Sequence, residues 1–168
     1  GKSSGVDALS CYMGCPLHFR SADTVEKVEF DPSRIPGGYR FFLVDSGAVF
    51  ETGPLVNHFL DALKDPQYER AIREEFLTFS KKLIDLLTGR KEGDPALLFR
   101  AVSDFQYRHF RRMIPDHMED AWIHGQVSNA YYLKLNGSGG GFVLGICHEH
   151  VREEVEAMFE GSRVAWVG

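Results

Sequence analysis

Five residues, Gly137-Ser138-Gly139-Gly140-Gly141, do more than any others to limit the folds open to this chain. They follow Lys134-Leu135-Asn136 and precede Phe142, between the apolar stretches 130–135 and 142–147. Glycine weakens a strand because it adds backbone entropy and contributes no side chain to packing. Glycines at this density therefore join two strands where the backbone comes very close to something else. Phosphate oxygens are the usual partner, since adjacent bare N–H groups can point into one concavity. A plain tight hairpin is the competing reading.

The 168 residues fit one domain of ordinary size, and the generous aromatic content predicts a packed core. The net charge of −5 argues against nucleic acid as the main partner, because phosphate backbones select basic faces. No apolar stretch is long enough to cross a bilayer, and no signal peptide or lipidation motif is evident. The chain does not begin with Met, and its first residues read like the middle of something, so a fragment lacking an N-terminal portion is expected. Cys11, Cys15 and Cys147 are few and odd in number and lack the spacing of a structural zinc site. They read as free, semi-buried thiols in a reducing, cytoplasmic compartment.

Periodicity supplies the elements. Residues 1–14 read as loop with a short helix, and 17–20 and 25–30 as short strands. Residues 39–45 form a strong aromatic strand. Pro54 suits a first helical position, with Leu55, Val56, Phe59, Leu60 and Leu63 on one face. A second helix runs from Pro66 to Thr88 and stops at Gly89. A third opens at Asp94-Pro95 and carries Leu98, Val102, Phe105 and Phe110, and a shorter one covers 116–124. The chain closes with strand, glycine loop, strand, helix and strand. This order predicts an α+β fold, with strands 39–45, 130–135, 142–147 and 163–167 in a four-stranded antiparallel, ferredoxin-like sheet and helices packed on one face.

A second candidate lies at the start, in Ser4-Gly5-Val6-Asp7. An acidic residue in a Ser/Gly-rich turn is a helix cap in its plainest reading. Its functional reading is a carboxylate that accepts a substrate hydroxyl proton or orients the oxygen for attack on phosphorus.

Taken together, the two motifs cease to be generic. Ser4-Gly5-Val6-Asp7 resembles the Ser-Gly-Val/Ile-Asp signature of mevalonate kinases. Residues Lys134 to Gly141 resemble the third conserved motif of the GHMP superfamily of small-molecule kinases, usually Lys-Leu-(Ser/Thr)-Gly-(Ala/Ser) followed by glycines. Asn136 departs mildly, since it keeps hydrogen-bonding ability and tolerates turns, and Phe142 stands where a further glycine is common. The resemblance covers nearly the whole chain and implies the C-terminal half of such an enzyme. Residues 1–36 would then be the remainder of the preceding domain, and 37–168 the C-terminal domain.

The activity so implied is ATP-dependent transfer of the γ-phosphoryl group to an alcohol, with mevalonate as the favoured acceptor and isoprenoid precursor synthesis as the setting. Other GHMP kinases, acting on phosphomevalonate, a sugar or homoserine, are the alternatives within the class. A non-catalytic ferredoxin-like ligand-binding module is the alternative outside it. The resemblance places Asp7 on the catalytic Asp, and Ser4 and Gly5 on the turn presenting it. It places Thr52 on a Thr that opens the first helix near the active site. Gly137, Ser138, Gly139, Gly140 and Gly141 fall on the loop supporting the phosphates. ATP and Mg²⁺ are implied, with the phosphate loop and the Mg²⁺ ligands supplied mostly by the N-terminal half, so this chain alone is expected to be inactive. No membrane or nucleic-acid partner is expected, and an exposed edge offers a route to a homodimer.

The remaining clusters have plain readings. His148-Glu149-His150 is a poor metal site, because on a helix positions two apart diverge. His109, His117 and His124 read as surface or half-buried polar groups, Arg108, Arg111 and Arg112 as a solvated face, and Trp122 and Trp166 as core or edge aromatics.

Overall fold

The computed structural model describes residues 6–21 and 23–168. A short helix, α1 (Val6–Met13), leads into an antiparallel hairpin of β1 (Leu17–Ser21) and β2 (Thr24–Lys27). The second strand stops at Lys27 rather than reaching Phe30. Glu26 fastens this hairpin, accepting from Arg90 at 2.7 Å and lying 2.9 Å from His18 Nδ1. The Arg90 guanidinium, then His18, hold the Glu26 carboxyl below its usual range.

The aromatic run forms β3 (Tyr39–Asp45). Four helices follow: α2 (Thr52–Ala62), α3 (Pro66–Ala71), α4 (Leu77–Leu87) and α5 (Pro95–His109). A π-type turn at Ile72–Phe76 splices α3 to α4 into one continuous rod. Asp65 and Asp94 cap α3 and α5, accepting from Gln67 N–H at 2.9 Å and Ala96 N–H at 2.8 Å. After 3₁₀ turns at Arg111–Met113 and Asp116–Met118 comes α6 (Glu119–Ser128), ended by Asn129 in the left-handed region. The remaining elements are β4 (Tyr131–Leu135), β5 (Phe142–His148), α7 (Arg152–Met158) and β6 (Val164–Val167).

The four expected strands form the expected antiparallel sheet, in the order β4-β5-β3-β6. Alternation along β3 assigns its two faces. Phe42 and Val44 join Tyr131, Leu133, Val143 and Trp122 in one core, while Phe41 joins Tyr132, Ile146, Phe99 and Val102 in another. The long helices α4 and α5 lie on the second face. The shorter α6 and α7 add a layer on the first, where the helices had been expected on one face only. The sheet is therefore covered on both sides, as the nearly unbroken apolar character of its central strands requires.

Two boundaries move for physical reasons. Helix α2 opens at Thr52, so Pro54 stands third; no intrahelical N–H bond is needed there, and the ring is tolerated. The helix containing Val102 stops at His109, and Phe110 begins a tighter turn.

Candidate functional site

The glycine loop is built by backbone conformation before any ligand is considered. Gly137, Gly139, Gly140 and Gly141 have φ values of 65°, 95°, 72° and 62°, a region costly to residues with a Cβ. Two of them are also hemmed in. A Cβ on Gly139 would lie 2.3 Å from the Met113 carbonyl oxygen, and one on Gly140 would lie 3.1 Å from Phe50 N. The far side of the loop is pinned to the segment after β3. Gly141 N–H donates to Ala48 O at 2.8 Å, and Ser46 N–H donates to Gly141 O at 2.8 Å.

Thr52 and Ser138, 86 residues apart in the chain, meet at this loop. Ser138 Oγ donates to Thr52 Oγ1 at 3.2 Å. Thr52 is the first residue of α2, not its cap. Glu51 occupies the cap position and makes no side-chain bond to the helix, while the Thr52 hydroxyl faces the loop. The positive end of α2 thus lies beside a turn of bare backbone, a combination suited to anionic oxygens.

Three neighbours of the loop were not legible in the sequence. The Met113 carbonyl packs against Gly139. His117 Nε2 lies 2.7 Å from Ser46 O, and since a carbonyl only accepts, Nε2 carries the proton and Nδ1 is the basic nitrogen of the neutral ring. A cavity of about 290 Å³ opens beside Gly137 and Ser138, walled by Val56, Phe59, Phe110 and Met113. Each is a long-range contact made by an ordinary-looking turn, so no local pattern announces it.

Asp7 is the second residue of α1. Ser4, Gly5 and the side chain of Asp7 lie outside the described residues. The described side chains of α1 are exposed or half-buried and belong to neither core.

The other clusters resolve into structural roles. Arg111 is no free cation: it forks onto Glu119, which also accepts from the Tyr107 hydroxyl at 2.8 Å. Arg108 pairs with Glu75 at 3.2 Å. His109 stacks on Phe105, and burial pushes its pKa down. His124 lies 3.4 Å from Glu154 Oε1. Trp122 is fully buried, and Trp166 packs on Phe42 beneath the Arg152 guanidinium.

His148 and His150 are not on a helix. Strand β5 ends at His148 and a 3₁₀ turn folds back, bringing their Nδ1 atoms to 2.7 Å, so the rings converge where divergence was expected. Among the described residues no group of three or more His, Cys, Asp or Glu side chains could hold a metal ion. All three cysteines are free, but only Cys15 is semi-buried: Cys11 is exposed, and Cys147 is buried in β5. No helix among the described residues is long and apolar enough to cross a membrane.

Solved structures share this fold. L. major mevalonate kinase, crystallised with R-mevalonate, superposes with a TM-score of 0.72 at 16% identity, covering 99% of this chain and 53% of that one. Mevalonate-3-kinase from Thermoplasma acidophilum, with mevalonate 3-phosphate and ADP bound, gives 0.58 at 12% identity over 84% of this chain and 46% of its own. Mevalonate pyrophosphate decarboxylase from Streptococcus pyogenes gives 0.52 at 10% identity, over 85% and 46%. The chain thus spans about half the length of these proteins. No family model and no curated protein matches it. At these identities the likeness establishes a fold held in common with these two kinases and the decarboxylase.

Proposed function

We propose that this chain is the C-terminal half of a GHMP-type small-molecule kinase that phosphorylates an alcohol, with mevalonate the favoured acceptor. The observation that carries the reading is the meeting of Ser138 and Thr52, which sets the bare-backbone loop against the opening of α2. Ser138 belongs to the motif that suggested the family and Thr52 is a position the resemblance implies, and the fold is shared with enzymes crystallised with mevalonate, its 3-phosphate and ADP.

In this reading the N–H groups of residues 137–140 and the end of α2 face the phosphates, where charge builds during transfer. Gly141 holds the loop in place, because its N–H is already given to Ala48. The apolar wall of Val56, Phe59 and Met113 beside Ser138 suits the alkyl part of a small acceptor. Asp7 accepts the proton of the attacking hydroxyl as the oxygen–phosphorus bond forms and ADP leaves with the electrons of the broken bond. The loop backbone fits the phosphate part of ATP. In this reading the Mg²⁺ ligands come mostly from the N-terminal half, as the resemblance implies, and residues 1–36 are the remainder of that preceding domain.

The test is a panel of acceptors. The longer protein containing this chain is offered ATP with mevalonate, phosphomevalonate, homoserine and sugars, and the 168 residues alone are assayed beside it. Turnover of mevalonate by the longer protein, with none by the chain alone, is the expected result. Turnover of a different acceptor corrects the substrate, and no phosphoryl transfer to any acceptor removes the kinase reading.

A further inference from the structure

A second cavity, of about 580 Å³, lies between the sheet and helices α4 and α5 and adjoins the first, sharing Phe76, Gln106 and Gly137 with it; its volume is inside the range of small-molecule sites. Phe41 and Leu144 form its floor, Leu83 and Leu87 one wall, and Phe99 and Val102 the other. The outlier in this apolar lining is Lys134. Its Nζ donates to the carbonyl of its neighbour Leu135 at 2.9 Å, and no carboxylate among the described residues lies within ion-pair distance. Burial pushes its pKa down, which is the mark of an ammonium that has lost water without gaining a counter-ion.

The polar end of the cavity is compact. Gln106 also lines it and is oriented by accepting from Leu135 N–H at 2.7 Å, so Lys134 and Gln106 flank the same residue. One point-charge cation with one amide beside it matches a monoanion. A phosphate dianion normally draws an arginine fork or several backbone donors, and no arginine lines this cavity. Apart from Ser80 and the backbone of Gly137, the remaining lining residues are apolar and suit hydrocarbon.

We propose that this cavity binds a single-chain carboxylate amphiphile, a medium-chain fatty acid in chemical class, with the carboxylate on Lys134 and the chain between α4, α5 and the sheet. Binding supplies the missing counter-charge, so the lysine takes up a proton fraction as the ligand enters. The site borders the proposed phosphoryl-transfer site through Gly137 and Gln106, but its test reads ligand binding without ATP or turnover, so its outcome is distinguishable from that of the kinase reading.

Decanoate and decan-1-ol are titrated by calorimetry into the 168-residue chain and into its Lys134→Met variant. The methionine is of similar length and apolar, so the variant is expected to fold and to melt no lower than wild type. Lys134→Gln serves as the second variant should Met perturb the core. Decanoate is expected to bind wild type, with amide shifts at Leu83, Val102 and Leu144, and to lose at least tenfold in affinity in either variant. Decan-1-ol is expected to lose nothing. Wild-type affinity for decanoate should also fall between pH 7 and pH 10, as the ammonium gives up its proton while the carboxylate stays ionised. No binding of decanoate, unchanged affinity in both variants, or equal losses for acid and alcohol would each overturn the proposal.

Discussion

Gly139 and Gly141 look alike in the sequence and differ in what surrounds them. Alanine at 139 would drive its Cβ into the Met113 carbonyl, whereas alanine at 141 would meet nothing within 4 Å. Both have positive φ and share the left-handed strain, of about 1 kcal/mol. Gly139→Ala adds a backbone clash that can be relieved only by moving the turn at Arg111–Met113, and should cost about 3 kcal/mol in all. Denaturant melts of the two variants measure this difference, and equal losses would mean that the loop does not seat on Met113. Only the first of the two causes was legible in the sequence. Glycine density announces unusual backbone angles, but a contact partner 26 positions away leaves no local trace.

At the scale of an element, β5 shows how sheet position sets chemistry. Its Gly145 faces the Phe42 ring, leaving no room for a side chain, and its Cys147 is buried beside Tyr131. Burial pushes the Cys147 thiol up to about 12 from 9.0. The unfolded chain therefore releases this proton first, and folding stability falls as pH rises from about 9 toward 12. The Cys147 share of the loss should reach about 1 kcal/mol by pH 10, so Cys147→Ala should show a shallower alkaline slope than wild type, the remainder coming from buried phenols such as Tyr131; an unchanged slope in that variant would assign the whole loss elsewhere. In native protein at pH 8, exposed Cys11 should react with a thiol reagent while Cys147 stays protected. The strands and long helices were readable because their periods are local. That α6 and α7 would cover the face opposite α4 and α5 was not, since it follows from the pairing order β4-β5-β3-β6 rather than from any segment alone.

Across the whole molecule, the sheet serves as the frame that brings distant segments to one edge. Strand β3 runs into residues 46–52, β4 runs into the glycine loop, and the turns between α5 and α6 close beneath both. Such convergence makes a site from residues that are individually unremarkable. A frame that depends on pattern and volume can be shared by chains with few residues in common, as with L. major mevalonate kinase at 16% identity. The glycine loop was legible as unusual backbone because its residue types are unusual in a strand connection, whereas the Ser-Gly-Val-Asp motif lies mostly outside the described residues. The loop's neighbours Met113 and Ser46, with His117 against Ser46, are common residues, positioned only by the fold. In the proposed reading, Asp7 acts on the hydroxyl whose phosphoryl donor the loop supports. Steady-state phosphorylation of mevalonate by the longer protein, wild type against Asp7→Asn, measures it most directly. A kcat lower by at least ~100-fold, with an unchanged KM for ATP and unchanged circular dichroism, is the predicted result; an Asp7→Asn enzyme that turns over as fast as wild type would contradict it.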